Sequence, residues 1–122
     1  MEQSPRILVV EDDPTSQRVA TAMLAKLGYE VDIAASASAA VEAAIRLNYA
    51  MIFVECQIDG GEGFRATREI RASEGASAYA PIVALTVLDD AQACALAGMD
   101  GHLRKPVRLS DLIKVVDEWS AF

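Results

Sequence analysis

Five short apolar runs, each bounded by polar residues, glycine or proline and each followed by a helical pattern, succeed one another along the whole chain. That alternation narrows the architecture sharply. Strands without a polar face need cover on both sides, and the helices between them supply it, which predicts a parallel sheet sandwiched by helices. The runs are Arg6–Val10 ("RILVV"), Tyr29–Ala34, Ala50–Val54, Pro81–Thr86 ("PIVALT") and His102–Arg104, the last broken by Lys105-Pro106. Asp13-Pro14 opens the first helix with a capping side chain and a proline at the first helical position. Val19, Ala22, Met23 and Leu27 keep its period as far as Gly28. Ser36 opens an alanine-rich helix with Val41, Ala44, Ile45 and Leu47 on one face. Gly60, Gly61 and Gly63 mark a loop before a third helix through Phe64, Thr67, Ile70 and Arg71. Asp89-Asp90 leads a fourth that stops at Gly98, and Leu109–Trp119 closes the chain as an amphipathic helix.

A chain of 122 residues with 52% apolar content builds one such domain, 1–122, without a disulfide or structural metal. Its working edge lies at the carboxyl ends of the strands, near the point where strand order reverses. The first strand ends in Glu11-Asp12, the third delivers Glu55, the fourth ends in Thr86, and Lys105 follows the fifth. In the flavodoxin-like, doubly wound order 2-1-3-4-5 these ends converge in one crevice. Carboxylates crowded together repel, and a hard divalent cation bound through oxygen is the usual remedy. Thr86 adds a hydroxyl donor and Lys105 a point charge suited to an anionic oxygen. A carboxylate at the end of a buried run costs several kcal/mol, roughly, unless it is paired, so Glu55 predicts a partner. Asp13 reads as a cap. Cys56 reads as a small filler whose thiol the neighbouring Glu55 leaves unreactive.

A net charge of −7 argues against nucleic acid as a direct partner. No run of 18 apolar residues and no signal peptide stand in the chain, so no membrane association and a cytoplasmic location are expected. Cys56 and Cys94 lack metal-ligand spacing and are expected to be reduced.

The motifs "ILVVEDDP", "VEC", "PIVALT" and "GHLRKPV", in this order and at these separations, resemble the receiver domains of two-component response regulators and hybrid histidine kinases. The resemblance covers essentially the whole chain. It implies a pocket for Mg²⁺ made of Glu11, Asp12, the acceptor position Glu55 and the backbone carbonyl of Gln57. It implies that Thr86 and Lys105 receive phosphoryl oxygens and that His102 occupies a switch position. The partner it implies is a histidine kinase or another signalling protein, with other domains of a longer chain as a further possibility. The fourth helix, fifth strand and fifth helix form the expected partner face, open to homodimer formation, because Thr86 and His102 lie between the pocket and that face. The series Ala91, Ala93, Ala95, Ala97 predicts a flat helix surface there. No enzyme activity is implied beyond residual phosphotransfer or autodephosphorylation.

Three positions depart from the family pattern. Glu55 stands where receivers carry the phosphoryl-accepting Asp, Asp59 where Pro is usual, and Val87 where a small residue follows the Thr. The extra methylene of Glu55 displaces its carboxylate by about 1.5 Å, whereas in-line attack tolerates roughly 1 Å. A bulky Val87 narrows the approach of a phosphodonor. Both point to a pseudo-receiver in which Glu55 is a phosphomimic or a structural ion-pair partner. The alternative is a phosphorylation-competent receiver, or an engineered Asp-to-Glu form of one.

Overall fold

The computed structural model describes residues 5–87 and 90–119. Every apolar run forms a strand: β1 Arg6–Val10, β2 Glu30–Ala34, β3 Met51–Glu55, β4 Ile82–Thr86 and β5 Gly101–Arg104. The helices are α1 Pro14–Lys26, α2 Ala37–Arg46, α3 Gly63–Ala72, α4 Ala91–Ala97 and α5 Leu109–Trp119. The sheet is parallel throughout, in the order β2-β1-β3-β4-β5. This is the expected flavodoxin-like topology.

Period-two alternation splits the interior into two cores. Leu8, Val10, Ile52, Val54, Ile82 and Ala84 point into one, where Ala40, Ile70 and Cys94 of α2, α3 and α4 close over them. Ile7, Val9, Phe53, Val83 and Leu85 point into the other, under Leu24 of α1 and Leu112 and Val116 of α5. All five residues of β3 are buried, Glu55 included, so the strand carries its carboxylate inside the fold.

Helix caps follow the sequence closely. Asp13 accepts from the Ser16 amide at 2.9 Å, and Ser36 from that of Ala39 at 3.1 Å. Asp90 accepts from Ala93 N at 3.1 Å; Asp89, its expected companion, lies outside the described residues.

Helix faces differ from expectation in three places. In α1 the fully buried residue is Leu24, whereas Ala22 is exposed and Val19 keeps 45% of its surface in solvent. In α2 the inward residues are Ala37, Ala40 and Ala44, and Ile45 and Leu47 face outward. The exposed side of α2 is approached closely at Ile45, where a Cβ on Gly75 would stand 2.6 Å from the Ile45 Cα. The alanine series of α4 is not one face: Cys94 and Ala97 point inward while Ala91, Ala95 and Leu96 face solvent. Alternate residues cannot share a helix face at 3.6 residues per turn.

Candidate functional site

β1 and β3 lie side by side, pairing Val10 with Val54, which sets Glu11 and Glu55 at adjacent strand ends. β4 adds Thr86 and the turn after β5 brings Lys105 over the same edge. Glu11, Glu55 and Thr86 are all buried, at 2%, 6% and 2% exposure. Glu11 and Glu55 close on Lys105, whose backbone amide donates to the Thr86 carbonyl at 2.8 Å. The Lys105 ammonium lies between the two carboxylates, 2.5 Å from Glu11 Oε1 and in direct contact with Glu55 Oε2. Burial opposes the charge on Lys105, but the bonds to Glu11 and Glu55 outweigh it and raise its pKa.

The remaining oxygens of this pair turn toward backbone. Glu55 Oε1 accepts from the Gln57 amide at 2.9 Å, and Glu11 Oε2 from the Asp13 amide at 3.2 Å. Both carboxylates are therefore fully engaged inside the protein. Here the length of Glu55 matters: the same side chain reaches forward to Lys105 and back to its own loop.

Oxygen donors of the kind a hard divalent cation prefers are present, and in this arrangement a cation would compete with Lys105 for two of them. Lys105 already takes one oxygen from each of Glu11 and Glu55. The Gln57 carbonyl accepts from the Gly60 and Gly61 amides at 3.1 and 3.3 Å, and Asp12 is exposed. Among the described residues no three His, Cys, Asp or Glu side chains gather as a metal site.

Thr86 hydrogen-bonds with the Cys56 thiol, which also meets Cys94. Burial above all, with Cys94 and Glu55 adding, pushes that thiol up to about 12, consistent with a packing role. His102 is exposed on the edge strand, in register with Ala84, and points to the same sheet side as Thr86. Val87 stands 55% exposed beside Thr86.

Two further residues shape the loop after Glu55. Asp59 has φ 52°, a left-handed backbone that proline, locked near −65°, cannot adopt. Its carboxylate accepts from the Ala37 amide at 2.8 Å, tying the acceptor loop to the start of α2. Gly63 packs so closely under β3 that a Cβ would stand 2.7 Å from the Glu55 carbonyl. In sequence the glycine marked only a loop; the contact it permits depends on how α3 meets β3.

The parallel five-stranded sheet thus brings acidic strand ends, a hydroxyl and a lysine to one edge. Residues 7–117 match the response regulator receiver domain family, and the chain belongs to it. It is a receiver domain of the two-component and phosphorelay type. The hybrid signal transduction protein dokA of Dictyostelium discoideum is 33% identical over 113 residues, 93% of this chain and 7% of that protein. Its curated relatives are far longer, and the chain spans at most 14% of their length. A crystal structure of the receiver domain of sensor histidine kinase PA1611 from Pseudomonas aeruginosa PAO1 superposes with a TM-score of 0.88. It shares 39% identity, covers 98% of this chain and 100% of its own, and has magnesium coordinated in its active-site cleft. The receiver domain of Saccharomyces cerevisiae Ssk1, solved with the histidine phosphotransfer protein Ypd1, gives a TM-score of 0.85 and 27% identity, covering 98% and 92%.

Proposed function

We propose that residues 1–122 act as a single pseudo-receiver, a signalling domain whose output is protein contact and whose acceptor position is permanently occupied. The observation that carries this reading is the Lys105 ammonium bound to both Glu11 and Glu55. Glu55 supplies in covalent form a negative charge that a receiver otherwise gains by phosphorylation, and it engages the lysine assigned to the phosphoryl oxygens. Whether that charge is a signal or only a structural tie is decided by Glu55→Gln. NMR shifts of the amides and side chains of Thr86 and Lys105 should move well beyond those of residues remote from the site. Unchanged shifts would reduce Glu55 to a bystander.

The domain performs no chemistry of its own beyond residual phosphotransfer. A histidine kinase or phosphotransfer protein, or other domains of a longer chain, is the partner, in the cytoplasm. Among the described residues no helix is long and apolar enough to cross a membrane. Its contact face combines α4, β5 and α5, where Leu96 is 79% exposed and His102 and Ile113 also reach solvent. A second copy of the chain would use the same face.

Mg²⁺ must compete with Lys105 for Glu11 and Glu55, so its affinity should be no tighter than millimolar. NMR shifts of Asp12 and Glu55 during a Mg²⁺ titration read this directly. Micromolar binding would mean that the lysine yields its place readily.

A further inference from the structure

The loop after β3 closes on itself where a cation pocket calls for a free backbone oxygen. The Gln57 carbonyl accepts from the Gly60 amide at 3.1 Å and from the Gly61 amide at 3.3 Å, which engages both of its lone pairs. That is the carbonyl which the receiver resemblance gives to Mg²⁺. The Gln57 amide is committed as well, donating to Glu55 Oε1 at 2.9 Å. Bonds from Gly60 and Gly61 back to residue 57 require the chain to reverse at once. Ile58 anchors the reversal in the first core, and Asp59 makes it, with φ 52° and ψ 35°.

A residue with a Cβ stays in that left-handed region only where its surroundings hold it there. Here the tie is the bond from the Ala37 amide to Asp59 Oδ2, at 2.8 Å. Ala37 is the first residue of α2, so its amide has no acceptor within the helix, and the cap Ser36 serves Ala39 instead. Ala37 is also only 1% exposed, and a buried amide left unpaired is costly, which makes the tie firm. We propose that Asp59 is a positioning residue: it holds the Gln57 carbonyl on its own loop and thereby sets how weakly this site binds a divalent cation. The inference rests on the reading of this edge as a receiver pocket and adds a second restraint to it. Lys105 occupies the carboxylates, and Asp59 withholds the carbonyl. That oxygen is free for a cation only after a glycine amide lets go, and the tie to α2 opposes the release.

Two substitutions break the tie from opposite ends in the intact chain. Asp59→Ala removes the acceptor. Ala37→Pro removes the donor at a position suited to proline, since it is the first of a helix and Ser36 before it is extended, with φ −149° and ψ 161°. Asp59→Asn keeps an acceptor oxygen and tolerates the left-handed region, so it removes the charge without the bond. Without Mg²⁺, the Gly60 and Gly61 amides should exchange with water about tenfold faster in the Ala and Pro variants, and at the parental rate in the Asn variant. In a Mg²⁺ titration read by the Asp12 and Gln57 amides, the Ala and Pro variants should bind about threefold tighter than the parent, the equivalent of one weak hydrogen bond. Asp59→Asn should gain nothing. Parental exchange or parental affinity in Asp59→Ala and Ala37→Pro, or a gain in affinity that Asp59→Asn shares, overturns the inference. Asp59 is exposed, so the comparison of Ala with Asn at this position decides the matter even where α2 rejects the proline. A gain in Lys105→Met without one in these two leaves the pocket standing and removes Asp59 from its control. No response to Mg²⁺ in any variant up to tens of millimolar overturns the pocket and the inference together.

Discussion

Glu55→Asp is expected to gain one phosphoryl group from acetyl phosphate in Mg²⁺, read by intact mass, under conditions where the unaltered chain gains none. Transfer to a carboxylate depends on in-line placement and charge neutralisation, and a misplacement of about 1 Å already costs on the order of 100-fold in rate. Glu55 is displaced by more than that, and both of its oxygens are engaged, by Lys105 and by the Gln57 amide. The shorter Asp cannot make both contacts at once, so it should release an oxygen toward solvent while Asp12, Thr86 and Lys105 remain. Labelling should therefore rise by about 100-fold or more. Val87, 55% exposed beside Thr86, would still crowd the donor, and Glu55→Asp with Val87→Ala should label faster again. Labelling of the unaltered chain at Glu55 would overturn the pseudo-receiver reading. Failure of both variants to label would place the defect beyond the acceptor, with Asp59 the next residue to test.

Most of the fold was legible because its elements carry strong periodic signals. Buried strands such as Met51–Val54 read as continuous apolar runs, and Asp13-Pro14 and Ser36 announce helix starts by their capping chemistry. Helix faces were less legible in alanine-rich segments, where a methyl group fits either side and contrast between faces is weak; α2 and α4 are the cases here. At the site, the residues were readable but their connections were not. Glu11, Glu55, Thr86 and Lys105 follow from strand ends in a known order, whereas the Glu55–Gln57 and Asp59–Ala37 bonds depend on the path of one loop. The left-handed conformation of Asp59 has no signature in a single sequence.

Replacing Lys105 by Met should cost more stability than any other single change at the site. Its ammonium is the shared cation of Glu11 and Glu55, whose side chains are only 2% and 8% exposed. Methionine keeps the length and much of the apolar stem but leaves two carboxylates facing each other without a counter-charge. Removing one partner of a buried pair costs about 3–5 kcal/mol because a charge is left uncompensated. Lys105 is itself 22% exposed, so water can reach the gap and the loss should fall near the lower figure, about 3 kcal/mol. In a domain of this length that corresponds to a fall in Tm on the order of 10 °C. Adding Glu55→Gln to Lys105→Met removes one of the opposed charges and should recover part of the loss, a coupling that a double-mutant cycle in urea measures. The same Lys105→Met variant should bind Mg²⁺ more tightly than the unaltered chain, since the ion then meets both carboxylates without a competitor. A variant as stable as the parent, with no gain in Mg²⁺ affinity, would mean that solvent already neutralises the pair and that Lys105 is not its keystone.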